Sequence, residues 1–245
     1  MVHIRSQRAW LFGLVAMMLG ALVFATGGCG SPAQEVISET PALPGPARTP
    51  ANRSSGDAAS RMAAGQAALE GGNLGKAEQE YRDAVALDPK SARARFGLGN
   101  VYVRLDRLSE AEQAFKAATA IDPQMAAAQA NLGVVYYQLG QLGQAATALQ
   151  DALRVEPDDP STLYLLAAVR LQESNLAEAE KLLVQARDRK PDLPEVYYGL
   201  GVLYRLKGQK DDAIQAFEKF LSLGPSQDPT AADNARQELK QLRGQ

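Results

Sequence analysis

The chain has 245 residues, is 46% hydrophobic and 22% charged, and carries a formal net charge of −2. That composition supports a folded domain, and the slight acidity leaves no footprint for nucleic acid. The single histidine, tryptophan and cysteine are His3, Trp10 and Cys29. Beyond residue 29 there is therefore no imidazole base, no Cys/His metal cluster and no side-chain thiol, and no disulfide can form within the chain.

His3 to Arg8 are positively charged, Ala9 to Phe24 are almost wholly apolar, and Ala25-Thr26-Gly27-Gly28 are small. This is the layout of an export signal, read as residues 1–28. Its removal takes Arg5 and Arg8 and no acid, leaving 24 bases against 28 acids, a net charge of −4. Thr26-Gly27-Gly28-Cys29 resembles a bacterial lipobox, although Thr26 stands where that family usually has Leu. The resemblance implies a signal peptide cleaved before Cys29 and acylation of Cys29, which anchors the protein to a membrane through lipid. The alternative is an uncleaved span, because Ala9–Gly28 reaches the roughly 20 residues a bilayer requires. Gly30 occupies the place where an Asp would imply inner-membrane retention, so the same resemblance implies a lipid-anchored outer-membrane protein facing the periplasm.

Ser31–Asp57 contains Pro32, Pro41, Pro44, Pro46 and Pro50 among small and polar residues, with no sustained apolar period. Residues 29–57 are expected to form the acylated cysteine and a tether. A coil of this length spans about 30 Å on average.

Prolines then recur every 34 residues, at Pro89, Pro123, Pro157, Pro191 and Pro225. With proline at position 32, the repeats are 58–91, 92–125, 126–159, 160–193 and 194–227. Position 8 holds Gly65, Gly99, Gly133, Ala167 and Gly201, and position 20 holds Ala77, Ala111, Ala145, Ala179 and Ala213. Position 27 holds Ala84, Ala118, Ala152, Ala186 and, out of pattern, Phe220. Leu98-Gly99 with Tyr102, Leu132-Gly133 with Tyr136, and Leu200-Gly201 with Tyr204 complete a pattern that resembles the tetratricopeptide repeat (TPR) family. Ala64, Ala68 and Arg170 depart from it.

Positions 4, 7, 8 and 11 share one face of a first helix, and positions 20, 24 and 27 share one face of a second. Small residues admit close approach, and Tyr81, Phe115, Leu149, Leu183 and Phe217 at position 24 fill the remaining space. Asp228-Pro229 opens a last amphipathic helix, with Ala231, Ala235, Leu239 and Leu242 at helical spacing. The expected fold is all-α: a right-handed TPR α-solenoid of five helix-turn-helix repeats, with residues 228–245 forming a capping helix and tail.

In the TPR family, positions 2, 5, 9, 12 and 13 of the first helices line a concave groove. By that resemblance the partner-binding residues here are Phe96, Asn100, Arg104, Tyr137, Tyr164, Tyr198 and Arg205, with Met62, Gln66, Arg93, Ala130, Val134, Gln138, Ala168, Gln172 and Val202 around them. Tyr164 and Tyr198, both at position 5, are the leading candidates. A subtype that clamps terminal carboxylates uses two asparagines with several bases. Asn100 and Asn131 match it, but Phe96, Ser161 and Leu165 stand at the basic places, so carboxylate-tail capture is rejected as the main activity.

Gly97-Leu98-Gly99 and Gly199-Leu200-Gly201 fall inside expected helices and read as packing glycines, not phosphate loops. Asp158-Asp159 and Asp211-Asp212 read as solvated helix caps. No catalytic residue, metal ligand, cofactor or small-molecule substrate is expected. The reading is a membrane-anchored periplasmic scaffold that docks envelope proteins in its groove. Two finer versions stay open: a factor resembling the pilotin lipoproteins of type IV pilus systems, with a secretin as partner, or an adaptor for cell-wall hydrolases or other envelope machinery.

Overall fold

The computed structural model describes residues 50–224 and 229–244. Cys29, the signal segment, most of the tether, Pro225 and Asp228 lie outside the described residues. Within them the chain forms eleven α-helices and no strand: α1 (Pro50–Glu70), α2 (Leu74–Leu87), α3 (Ala92–Arg104), α4 (Leu108–Ile121), α5 (Ala126–Gln138), α6 (Leu142–Val155), α7 (Pro160–Gln172), α8 (Leu176–Arg189), α9 (Pro194–Leu206), α10 (Lys210–Ser222) and α11 (Pro229–Arg243). The 34-residue period is thus one helical hairpin per repeat. One boundary differs from expectation, because α1 begins at Pro50, eight residues inside the segment read as tether. Proline is accommodated at a first helical position, where its φ is already helical and no N–H is required, and no proline follows it before α1 ends.

Helix starts follow local chemistry. The Asn73, Ser91, Asp159 and Asn175 side chains accept from the backbone N–H three residues on, and Pro160 and Pro194 open α7 and α9. The turn inside each hairpin is the same in all five repeats. Position 15 takes a positive φ at Gly72, Asp106, Gly140, Ser174 and Gly208. The N–H of position 16 then donates to the position 11 carbonyl, as in Gln209 to Tyr204 at 2.8 Å. This bond closes the helix C-terminus, and it needs the left-handed residue that glycine supplies without a Cβ penalty.

Packing follows the period. Each second helix lies against its own first helix and against the first helix of the next repeat; first helices also touch, α1 on α3, α5 on α7 and α7 on α9. The first helices therefore form the inner layer and the second helices the outer one. At the hairpin crossing, a Cβ added to Gly99 would lie 2.5 Å from a Phe115 ring carbon, and one at Gly201 2.6 Å from Phe217. Position 8 is small because position 24 is large. The resulting core runs from Tyr102 to Leu239, with a smaller cluster around Tyr81 at the N-terminal end. Helix α11 packs on α10 and buries Ala231, Ala235 and Leu239, as a cap should.

Candidate partner-binding groove

The inner helices bring positions 5, 9, 12 and 13 of successive repeats into one row, but the row differs from end to end. In repeat 2, Phe96 and Asn100 are half-buried and Arg93 and Arg104 are exposed. The Phe96 ring rests 5.8 Å from Phe115 and is only partly buried. Arg104 reaches back to donate to the Leu69 carbonyl, so it closes the end of α1 as well as charging the groove. Asn131 donates to Asn100 Oδ1 at 2.8 Å and is itself buried. The asparagine pair that resembled a carboxylate clamp is thus bonded to itself.

The leading candidates sit elsewhere than expected. Tyr137, Tyr164 and Tyr198 are 3%, 2% and 0% exposed, and they belong to the core. Tyr198 lies edge-on to Phe217 at 5.8 Å and to Phe220 at 5.2 Å. For Tyr198 the physical reason is the out-of-pattern Phe220, where a ring replaces the usual alanine at position 27 and the tyrosine packs on it; Tyr164 instead packs into the space left by Gly199 of the next repeat. These three tyrosines are core residues and offer no free surface to a partner. Arg205, also half-buried, is held by Glu238 of α11 at 3.5 Å, with Glu238 only 1% exposed. Burial raises the Glu238 carboxyl to about 7, against the opposing pull of Arg205.

Further features were not read from the sequence. Tyr137 Oη, Gln138 Oε1 and Gln172 Oε1, at positions 12, 13 and 13, are shielded from solvent without a hydrogen-bond partner among the described residues. Burial pushes the Tyr137 phenol well above its usual range. Such groups are costly unless something meets them. Arg95, Gln129 and Tyr197 at position 4 each donate to the carbonyl of the preceding position 32 proline, at 3.0, 2.8 and 2.8 Å. The 34-residue alignment could have shown this last feature, since all three side chains carry a donor.

Three of the four acids in the two pairs have structural partners: Asp159 accepts from the Thr162 N–H and hydroxyl, Asp158 pairs with Arg189 at 2.8 Å, and Asp212 accepts from Gln209. A repeated wall with a shallow inner face defines an interaction scaffold of the α-solenoid class. The chain belongs to the tetratricopeptide repeat family, whose sequence signature matches residues 62–126 and 164–228, with a second form of it matching 107–169. No curated protein sequence matches it.

Among solved structures, the fold is similar to PilF of Pseudomonas aeruginosa, at 20% identity and a TM-score of 0.66 over 78% of this chain and 90% of that one. It is similar to TTC0263, a thermophilic TPR protein of Thermus thermophilus, at 23% identity and 0.62 over 74% and 98%. It also resembles YrrB, described as a TPR protein with an unusual peptide-binding site, at 25% identity and 0.59 over 76% and 94%. At such identities PilF and TTC0263 share the fold alone.

Proposed function

We infer that this protein is a lipid-anchored scaffold on the periplasmic side of the outer membrane, docking envelope proteins through the inner face of repeats 2 to 4. The observation that carries the reading is the row from Arg93 through Phe96 and Asn100 to Gln138 and Gln172. It combines a half-buried ring, the exposed Arg93 and amide oxygens without a hydrogen-bond partner among the described residues. An extended protein segment suits that row: an apolar side chain can cover Phe96, and acidic or carbonyl groups can meet the exposed Arg93. The peptide-binding site of YrrB supports a segment as the ligand class. The membrane anchor rests on the lipobox resemblance at Cys29, and no helix among the described residues is long and apolar enough to cross a membrane.

The second reading is a pilotin-like assembly factor for a type IV pilus secretin. The export signal, tether and repeat count fit it without being peculiar to pilotins, and an adaptor for cell-wall hydrolases or other envelope machinery differs from it only in the partner. One experiment separates them: a photo-crosslinking residue at Phe96 in the native cell, with exposed Arg154 on the outer layer as control and adducts identified by mass spectrometry. A secretin captured from position 96 alone selects the pilotin reading. Another envelope protein captured there keeps the scaffold and replaces the pilotin, and equal adducts at both positions overturn the groove.

A further inference from the structure

A second feature repeats at position 11, where the first helices meet the second helices. In repeat 2, the Tyr102 ring is covered by its own chain: the Arg107 guanidinium stands 4.6 Å from the ring centroid, with Glu110 at 2.8 Å and Glu78 at 3.0 Å. Arg82 also donates to the Tyr102 hydroxyl at 3.3 Å. In repeat 3, Lys116 lies 5.6 Å over the Tyr136 ring and pairs with Glu112. In repeat 4, Arg170 replaces the ring and pairs with Glu173 at 2.7 Å and Glu178 at 3.0 Å. Each of these places is filled by a cation and neutralised by an acid.

Repeat 5 keeps the receiving groups without that cation. Tyr204 aligns with Tyr102, Asp212 with Glu110, and Glu180 with Glu78, but Gln209 stands where Arg107 is and Val184 where Arg82 and Lys116 are. Lys207 takes Glu180 at 2.8 Å, while Asp212 accepts only the Gln209 amide at 3.2 Å. Among the described residues, no cation lies over Tyr204 and none pairs with Asp212. Here the surface opens into a cleft of about 340 Å³, lined by Tyr197, Leu200, Tyr204, Asp212, Arg187 and Lys219. The two bases on its wall are engaged: Arg187 bonds Asp188 at 2.9 Å, and Lys219 lies 5.9 Å over Tyr197.

We propose that this cleft is a docking socket for an arginine side chain of a partner protein, seated over Tyr204 and paired with Asp212 as Arg107 is seated over Tyr102 and paired with Glu110. The volume suits one or two side chains, and guanidinium favours the combination of an aromatic face and a carboxylate. The socket lies between α9 and the second helices α8 and α10, is lined by none of the residues of the inner row, and does not depend on what that row binds.

The test uses the full-length protein in detergent with ¹³C-labelled tyrosine, titrated with acetyl-Ala-Arg-Ala-amide, its citrulline counterpart and its glutamate counterpart. The expected result is a saturable shift of the Tyr204 ring signals with the arginine peptide alone. Affinity should fall at least about tenfold in Gln209→Arg, which supplies the cation from within. Val184→Lys does the same from the neighbouring helix and serves if Gln209→Arg folds poorly, with unchanged Tyr102 and Tyr136 signals as the folding check. An equal response to citrulline, a response to glutamate in place of arginine, no saturable shift, or arginine binding undiminished in the filled variants would each overturn the socket.

Discussion

Repeats 2 and 5 are built on one 34-residue template and leave different places open. Repeat 2 leaves its inner side available through Phe96, Asn100 and Arg93, and closes its position 11 by folding Arg107 and Arg82 onto Tyr102. Repeat 5 closes its inner side by packing Tyr198 on Phe217 and Phe220 and pairing Arg205 with Glu238, and leaves its position 11 open at Tyr204. A template position thus fixes where a side chain starts. The neighbours decide whether it reaches solvent.

The largest test of this contrast is truncation of a ring at each inner position. Tyr198→Ala should cost about 3–5 kcal/mol, because a fully buried ring leaves a cavity between Phe217 and Phe220. Denaturant melts followed by circular dichroism would measure it, and a loss under about 1 kcal/mol would mean the C-terminal core is not packed as described. Phe96→Ala, half-buried, should cost no more than about half as much while abolishing groove-specific crosslinking from a neighbouring probe at Arg93.

The cap provides a pH-dependent test. The Glu238 carboxyl has a higher pKa folded than unfolded, so the folded state favours its protonated form. Its penalty is absent below about pH 4.5 and complete above about pH 7, and this group's contribution to stability falls as pH rises between them. Glu238→Gln should therefore protect α11 at pH 8 by on the order of 2 kcal/mol and change nothing at pH 4.5, read from hydrogen exchange of α11 amides. Equal effects at the two pH values would remove the carboxyl from the account.

The smallest effect lies in the hairpin turns. Asp106 and Ser174 hold φ values of 57° and 62° where the other repeats use glycine. Asp106→Gly should stabilise by about 0.5–1 kcal/mol, and Gly208→Ala in repeat 5 should destabilise by a similar amount. Thermal melts of the two variants should move in opposite directions.

Much of the fold is legible in the sequence because its determinants are local and repeated. Gly99 opposite Phe115 and Gly201 opposite Phe217 recur at fixed spacing, and one recurring contact explains five hairpins. The start of α1 was less visible, since a proline-rich approach reads as coil until Pro50 itself proves to be the first helical residue. The groove was legible in part. Phe96, Asn100 and Arg104 stand on the inner row with accessible surface, while Tyr137, Tyr164 and Tyr198 share that row and are buried. Phe220 was visible as an exception to the pattern, but not the ring that would pack on it.

The sequence by itself determined the helices, their pairing and the capping helix, because each depends on contacts between positions a fixed distance apart in the chain. Only the tertiary structure decided which inner side chains stay accessible, which charges neutralise one another across repeats, and that α11 places a buried carboxylate against Arg205. Those outcomes depend on residues about 30 apart on adjacent hairpins, where one altered side chain, such as Phe220 or Val184, changes what its neighbours can reach without disturbing the period.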